Sequence, residues 1–204
     1  TFIFFDDFEN NNMNRWSTVD NYGTAWTVQS TRKAMGAYAA FANGGVNYYS
    51  QAWANFSSPI THDFMIHTWT QTETELSGYT YNSHTFIDES GLDADYVNVM
   101  IKEDDVAHYN STTYLYWDTG NFRDDTWYRT EFGFDVSTSM SYYYQNRVYT
   151  GSLVANDRGT KDGIGGISKF RPQNENGGSE DYWLDDVYIR LWNSAGEPSI
   201  SSTG

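Results

Sequence analysis

Hydrophobic and polar residues alternate along much of this chain with the two-residue period of β-strands, most cleanly over residues 181–192, DYWLDDVYIRLW. Trp183, Asp185, Val187, Ile189 and Leu191 fall on one face of that stretch. Leu184, Asp186, Tyr188, Arg190 and Trp192 fall on the other. Asp185 shares its face with three aliphatic residues, so a buried carboxylate there has to be paired or bound to a metal. Residues 1–9, TFIFFDDFE, form a second apolar run that ends in Asp6, Asp7 and Glu9. The first and last strands are therefore expected side by side, with their acids together.

The same pattern predicts strands over 24–29, 34–41, 48–56, 63–75, 79–87, 96–103, 113–117, 126–136, 141–153 and 164–170, with Pro59 breaking the ladder after the third of these. Stretches such as 118–125 and 174–180 are rich in Gly, Asn and Asp and read as turns and loops. No long helical period occurs. Short strands at this spacing predict an all-β fold of two packed antiparallel sheets, a β-sandwich over residues 1–192. The tail 193–204, NSAGEPSISSTG, reads as an exit linker, as of a domain that sits beside something larger.

Composition supports this reading and excludes several functions. Aromatic residues make up 18% of the 204 positions, and β-branched and hydroxylated residues outnumber strong helix formers, as an all-β domain requires. A formal charge of −15 argues against nucleic acid, whose phosphates need a basic face. It suits solubility and divalent cations better. Cysteine is absent, which excludes disulfides and zinc–thiolate sites. No apolar run reaches the roughly 18 residues of a membrane span, so membrane insertion by a helix is not expected. No leader-like segment opens the sequence, so any secretion signal is expected to have been removed already. Asn55 and Asn110 head glycosylation triplets that matter only if the chain is secreted.

Three predicted strands carry chemistry on one face. In 63–75 the odd positions are Met65, His67, Trp69, Gln71, Glu73 and Glu75, opposite Phe64, Ile66 and three threonines. In 127–135, Trp127, Arg129 and Glu131 oppose Tyr128, Thr130, Phe132 and Phe134. A third stretch sets Tyr143, Gln145, Arg147 and Tyr149 in phase. If these polar faces line one concave sheet, they form a groove of rings and hydrogen-bonding groups suited to sugars. The candidate ligand-binding residues are then His67, Trp69, Gln71, Glu73, Trp127, Arg129, Glu131, Tyr143 and Gln145. The unremarkable alternative is that the rings fill the core, that Arg129 and Glu131 form a surface pair, and that His67 is a satisfied sheet histidine.

Several landmarks in order, FFDDFE followed by Trp16, Gly23 to Trp26, WYRTEFGFD at 127–135, GIGGI at 163–167 and the closing LDDVYIR, resemble the concanavalin A-like lectin/glucanase group, which includes laminin G-like domains, as found in modular archaeal and bacterial surface proteins. The resemblance implies a two-sheet antiparallel jelly-roll β-sandwich with a structural calcium joining the N-terminal region to the last strand, with Asp185 as side-chain ligand and Asp7 or its neighbours adding oxygens. It implies an extracellular or cell-surface carbohydrate-binding or adhesion domain without catalysis, whose partner is a glycan. Two enzymatic alternatives share the fold. A hydrolase needs two flanking carboxylates, and Glu73 and Glu75 lie two apart on one face, but the laminarinase-type Glu-x-Asp-x-x-Glu signature is missing. A polysaccharide lyase of the alginate-lyase type is similar at Arg129-Thr130-Glu131, while Met65-Ile66-His67 lacks that family's glutamine and precedes the triplet. His67, Arg129 and Tyr143 would be its catalytic residues. A further class is a structural subunit of a surface filament or virion, self-assembling when the apolar strand 1–5 pairs with a neighbour's sheet edge.

Overall fold

In the computed structural model the alternating pattern becomes fifteen strands among the described residues, with no helix. Those residues are 2–16, 18–21, 26–43, 50–72, 81–88, 96–102, 105–110, 113–117, 125–135, 140–145, 148–154, 167–175 and 181–192; several strands, 81–117 among them, are described by backbone alone. The strands are β1 (Phe2–Asp6), β2 (Thr18–Asn21), β3 (Thr27–Gln29), β4 (Ala39–Ala42), β5 (Ser50–Ile60), β6 (Phe64–Thr72), β7 (Tyr81–Asp88) and β8 (Tyr96–Lys102). They continue with β9 (Asp105–Asn110), β10 (Thr113–Trp117), β11 (Tyr128–Asp135), β12 (Met140–Gln145), β13 (Val148–Val154), β14 (Ile167–Glu175) and β15 (Tyr182–Leu191). One sheet runs β13-β12-β11-β6-β15-β4-β3, with β1 also paired to β15; the other runs β10-β9-β8-β7-β14-β5-β2. Every pairing is antiparallel. This is the expected jelly-roll sandwich.

The core lies between the sheets. The first sheet contributes Phe64, Ile66, Phe132, Phe134, Tyr182, Leu184, Val187 and Ile189, and the second Ala52, Ala54, Ile60, Ile167 and Phe170. The threonines of β6 also face inward, and Thr68 pairs with Thr130 of β11 through hydroxyls 2.6 Å apart, so neither is left unsatisfied. With the even residues of β6 committed to the core, its odd residues form the outer face.

First and last strands do pair, Phe5 opposite Tyr188 and Asp6 opposite Val187. The simple alternation of 181–192 does not hold, however. Asp186 adopts φ 47°, and the register of β15 on β6 shifts between Asp185 and Tyr188. A bulge inserts one extra residue, so Leu184 and Val187 both face the core. Asp185 consequently shares its face with Trp183, Tyr188 and Arg190 rather than with Val187 and Ile189.

Other boundaries differ for local reasons. The 34–41 stretch is strand only from Ala39, because the N–H groups before it bond to carboxylates. Pro59 does not end β5; it sits where the register with β14 slips between Lys169–Asn55 and Ile167–Ile60, leaving no ladder bond for the missing N–H to make. The 141–153 stretch is two antiparallel strands, so Tyr149 belongs to β13 and not to the strand of Tyr143 and Gln145. β2 and β9 lie at 18–21 and 105–110, which the alternation did not single out.

Candidate functional site

The outer face of the larger sheet carries one cross-strand row of functional residues. Glu131 of β11 lies opposite His67 of β6, and His67 opposite Tyr188 of β15. Directly opposite residues share a face, so the row brings together a carboxylate, an imidazole and a phenol. His67 Nδ1 is 2.6 Å from Glu131 Oε1, and its ring stacks on Tyr188 with centroids 4.2 Å apart at 15°. His67 Nε2 accepts from Arg190 Nε at 3.1 Å. Since Nε2 accepts, the proton of a neutral ring sits on Nδ1 and is donated to Glu131.

Two guanidinium groups flank this row. Arg129 Nη2 lies 2.6 Å from Glu131 Oε1, donates to the Tyr188 hydroxyl at 2.9 Å and approaches His67 Nδ1 at 3.2 Å. Arg190 also reaches Met65 Sδ at 3.5 Å. His67 and Glu131 are buried, at 5% and 6% exposure, while Arg129, Tyr188 and Arg190 are half-buried. Burial pushes the imidazole below its ordinary pKa, and Arg190 and Arg129 add to this against the pull of Glu131. Burial also works to raise Glu131, but the His67 hydrogen bond and the His67 and Arg129 charges outweigh it and hold the carboxyl low. A neutral imidazole oriented by a carboxylate, beside a phenol and between two cations, can accept a proton, donate one and hold an anion.

The expected site residues divide as follows. His67, Arg129 and Glu131 come together; Trp69 is half-buried on the same face, in register with Arg129 and Asp185. Gln71 lies opposite Trp183, whose ring stacks on Phe41 at 5.1 Å beneath the Arg32 guanidinium at 4.5 Å. Trp127 precedes β11 and is half-buried. Glu73 lies outside the described residues, as do the side chains of Tyr143 and Gln145, whose backbones pair with Phe132 and Thr130. Tyr144, the partner of Glu131, and Tyr142, the partner of Gly133, extend the face instead. Tyr188 and Arg190 were missed as site residues. Alternation puts both on the face away from Val187 and Ile189, but nothing in the sequence says that this strand lies beside the strand of His67.

The acids of the two chain ends also meet. Asp6 is buried and accepts from Phe8 N at 3.0 Å and Trp16 Nε1 at 2.9 Å. Asp185 Oδ2 accepts from Ala34 and Met35 N, both at 3.0 Å, and Oδ1 from Asp186 N at 2.8 Å. Burial raises the Asp185 pKa to about 6. Glu9 Oε1 holds the N–H groups of Ala37 and Tyr38, so two carboxylates grip one loop. Burial, then the charges of Asp7 and Glu9, raise Asp186. As a test for calcium, three of roughly four lone-pair positions on Asp185 are taken by N–H donors, leaving about one for a cation. No cluster of three or more acids or histidines arranged to hold a metal occurs among the described residues.

The arrangement belongs to the class of antiparallel jelly-roll sandwiches with a polar outer sheet face. Among solved structures of similar fold, three align over nearly the whole chain at low identity. Endo-β-1,4-glucuronan lyase from the fungus Trichoderma reesei aligns at TM-score 0.69 with 13% identity, covering 94% of this chain and 96% of its own. The cellulose-induced protein Cip1 aligns at 0.71 with 12% identity, over 92% and 96%. Domain 4 of AbnA, an extracellular arabinanase of Geobacillus stearothermophilus solved with arabinotriose, aligns at 0.64 with 15% identity, over 94% and 92%. No family model matches the sequence, and no curated protein matches it.

Proposed function

We propose that this domain acts on a carbohydrate chain bound across the outer face of the larger sheet, and that the chain is a uronate polymer cleaved by β-elimination. The observation that carries this reading is the His67 imidazole, fixed by Glu131, stacked on Tyr188 and bracketed by Arg129 and Arg190. Likeness in fold to a glucuronan lyase and to an arabinanase domain solved with arabinotriose supports a saccharide ligand. A fold of the concanavalin A-like group accords with both.

The chemistry follows from the groups present. Arg190 leaves His67 Nε2 and, with Arg129, pairs with the uronate carboxylate, so that charge developing there is stabilised. The freed Nε2 takes the proton from C5, the C4=C5 double bond forms as the C4–O4 bond breaks, and the Tyr188 hydroxyl protonates the departing oxygen. Glu131 keeps the Nδ1 proton in place and steadies the imidazolium, which the low pKa of the free ring makes a transient species. An extracellular setting, where such polymers occur, belongs to this reading. So does a calcium ion near Asp7 and Asp185, where a cation would relieve the repulsion among Asp7, Glu9 and Asp186.

Incubation with uronate polymers, followed by the ultraviolet absorbance of the unsaturated product, tests the reaction. Product is expected from the wild type and is expected to fall at least about a hundredfold in His67→Ala and Tyr188→Phe. Binding without product would instead support the non-catalytic glycan-binding function that the same face allows.

A further inference from the structure

The row of Glu131, His67 and Tyr188 does not stop at β15. Phe5 of β1 lies directly opposite Tyr188, and Phe2 opposite Arg190, so both phenylalanines fall on the outer face while Phe4, opposite Ile189, packs into the core. Phe2 is 64% exposed and Phe5 37%, two of the large apolar side chains that the described surface leaves in water. The Phe2 ring meets Tyr188 edge-on at 5.7 Å and Phe5 at 6.2 Å. The three rings are therefore one continuous surface that begins at the site. Arg15 closes its far side, its guanidinium 5.7 Å from the Phe5 centroid and bonded to the Phe5 carbonyl at 2.6 Å.

We infer that Phe2 and Phe5 form a stacking subsite for a sugar unit of the chain that crosses the His67–Tyr188 row, with Arg15 placed to meet that unit's carboxylate. This rests on the uronate reading above and deepens it. Phe5 stands two strand spacings, about 10 Å, from His67, so it serves a unit beyond those at the cleaved bond. Pyranose C–H faces pack on rings that water otherwise covers, and a guanidinium beside the ring suits an anionic sugar better than a neutral one. Site continuity identifies the occupant: the exposed rings touch the phenol that the reaction uses.

A length series of uronate oligosaccharides, measured for binding by calorimetry and for cleavage by absorbance, tests the subsite in wild type, Phe2→Ala/Phe5→Ala, Phe5→Trp and Arg15→Gln. Wild type is expected to bind long oligomers more tightly than the shortest cleaved one. The double alanine variant is expected to lose that gain, about tenfold, as a rise in KM that is larger on long oligomers than on the shortest cleaved one. Phe5→Trp is expected to keep it, and Arg15→Gln to weaken it. Equal length dependence in wild type and the double variant overturns the subsite while the elimination reading stands. A wild type that neither binds nor cleaves any uronate overturns both. A wild-type dimer by light scattering that the double variant abolishes, with sugar binding unchanged, also overturns it, because the rings then serve contact between copies.

Discussion

At the scale of single residues, carboxylates in this fold are placed by backbone N–H groups as much as by charge. Asp185 was legible as an anomaly in the sequence, an acid amid apolar residues, but its partners were not, because Ala34 and Met35 lie some 150 positions away. Its folded pKa, about 6, lies above the ordinary 3.8. The protonated form is thus favoured by folding: this contribution to stability is present below about pH 4 and is lost as pH rises through 6. His67, held below its ordinary value, works in the opposite sense, since acidification charges it in the unfolded chain first. The Asp185 contribution is isolated by difference. Denaturant titrations in chelator at pH 7 and pH 5 are expected to show wild type gaining on Asp185→Asn toward pH 5, by about 1 kcal/mol. A constant difference between the two proteins would show that Asp185 does not titrate in this range.

At the scale of elements, the bulge in β15 decides what the site contains. One extra residue, Asp186 at φ 47°, lets Leu184, Val187 and Ile189 all face the core while Trp183, Asp185, Tyr188 and Arg190 share the outer face. Strict alternation put Tyr188 and Arg190 on the face away from Val187 and Ile189, but only the pairing of β15 with β6 sets that face beside His67. A left-handed backbone suits glycine better than aspartate, and Asp186 also sits in the field of Asp7 and Glu9. Asp186→Gly is therefore expected to raise stability by about 1 kcal/mol and to leave the site intact. Deleting Asp186 is expected to lose the cooperative thermal transition, since it would drive Tyr188 and Arg190 into the core. A deletion variant that melts like wild type would show that the bulge is dispensable. β12 and β13 show the same limit: the pattern continues through both strands, and only pairing reveals that Tyr149 lies on a separate one.

At the scale of the whole molecule, the first and last strands lie together and carry both the acid corner and the Phe2–Phe5–Tyr188 surface. Closure of the chain ends and the functional face are thus mechanically one region. A calcium ion at the corner, as proposed above, would tie β1, the 34–38 loop and β15 together. Melting with calcium and with chelator is expected to show a higher Tm in calcium that Asp185→Ala abolishes; identical curves would leave the carboxylates as clamps for the loop alone. By mass action the rise grows with the excess of calcium over its Kd.

Composition and periodicity alone determined that this chain is all-β, that its short strands pack as an antiparallel sandwich, and that His67 lies on the polar face of one strand and Arg129 and Glu131 on the polar face of another. Those properties are local: a two-residue period is written in neighbouring positions, and one strand's faces follow from it wherever the strand goes. The tertiary structure alone decided which strands are neighbours, where a bulge reverses the phase, and which loop N–H groups a buried acid serves. Such contacts join positions far apart in the chain. Their energies come from packing and desolvation that no single segment contains, so the Tyr188 and Arg190 half of the site became visible only when β15 was laid against β6.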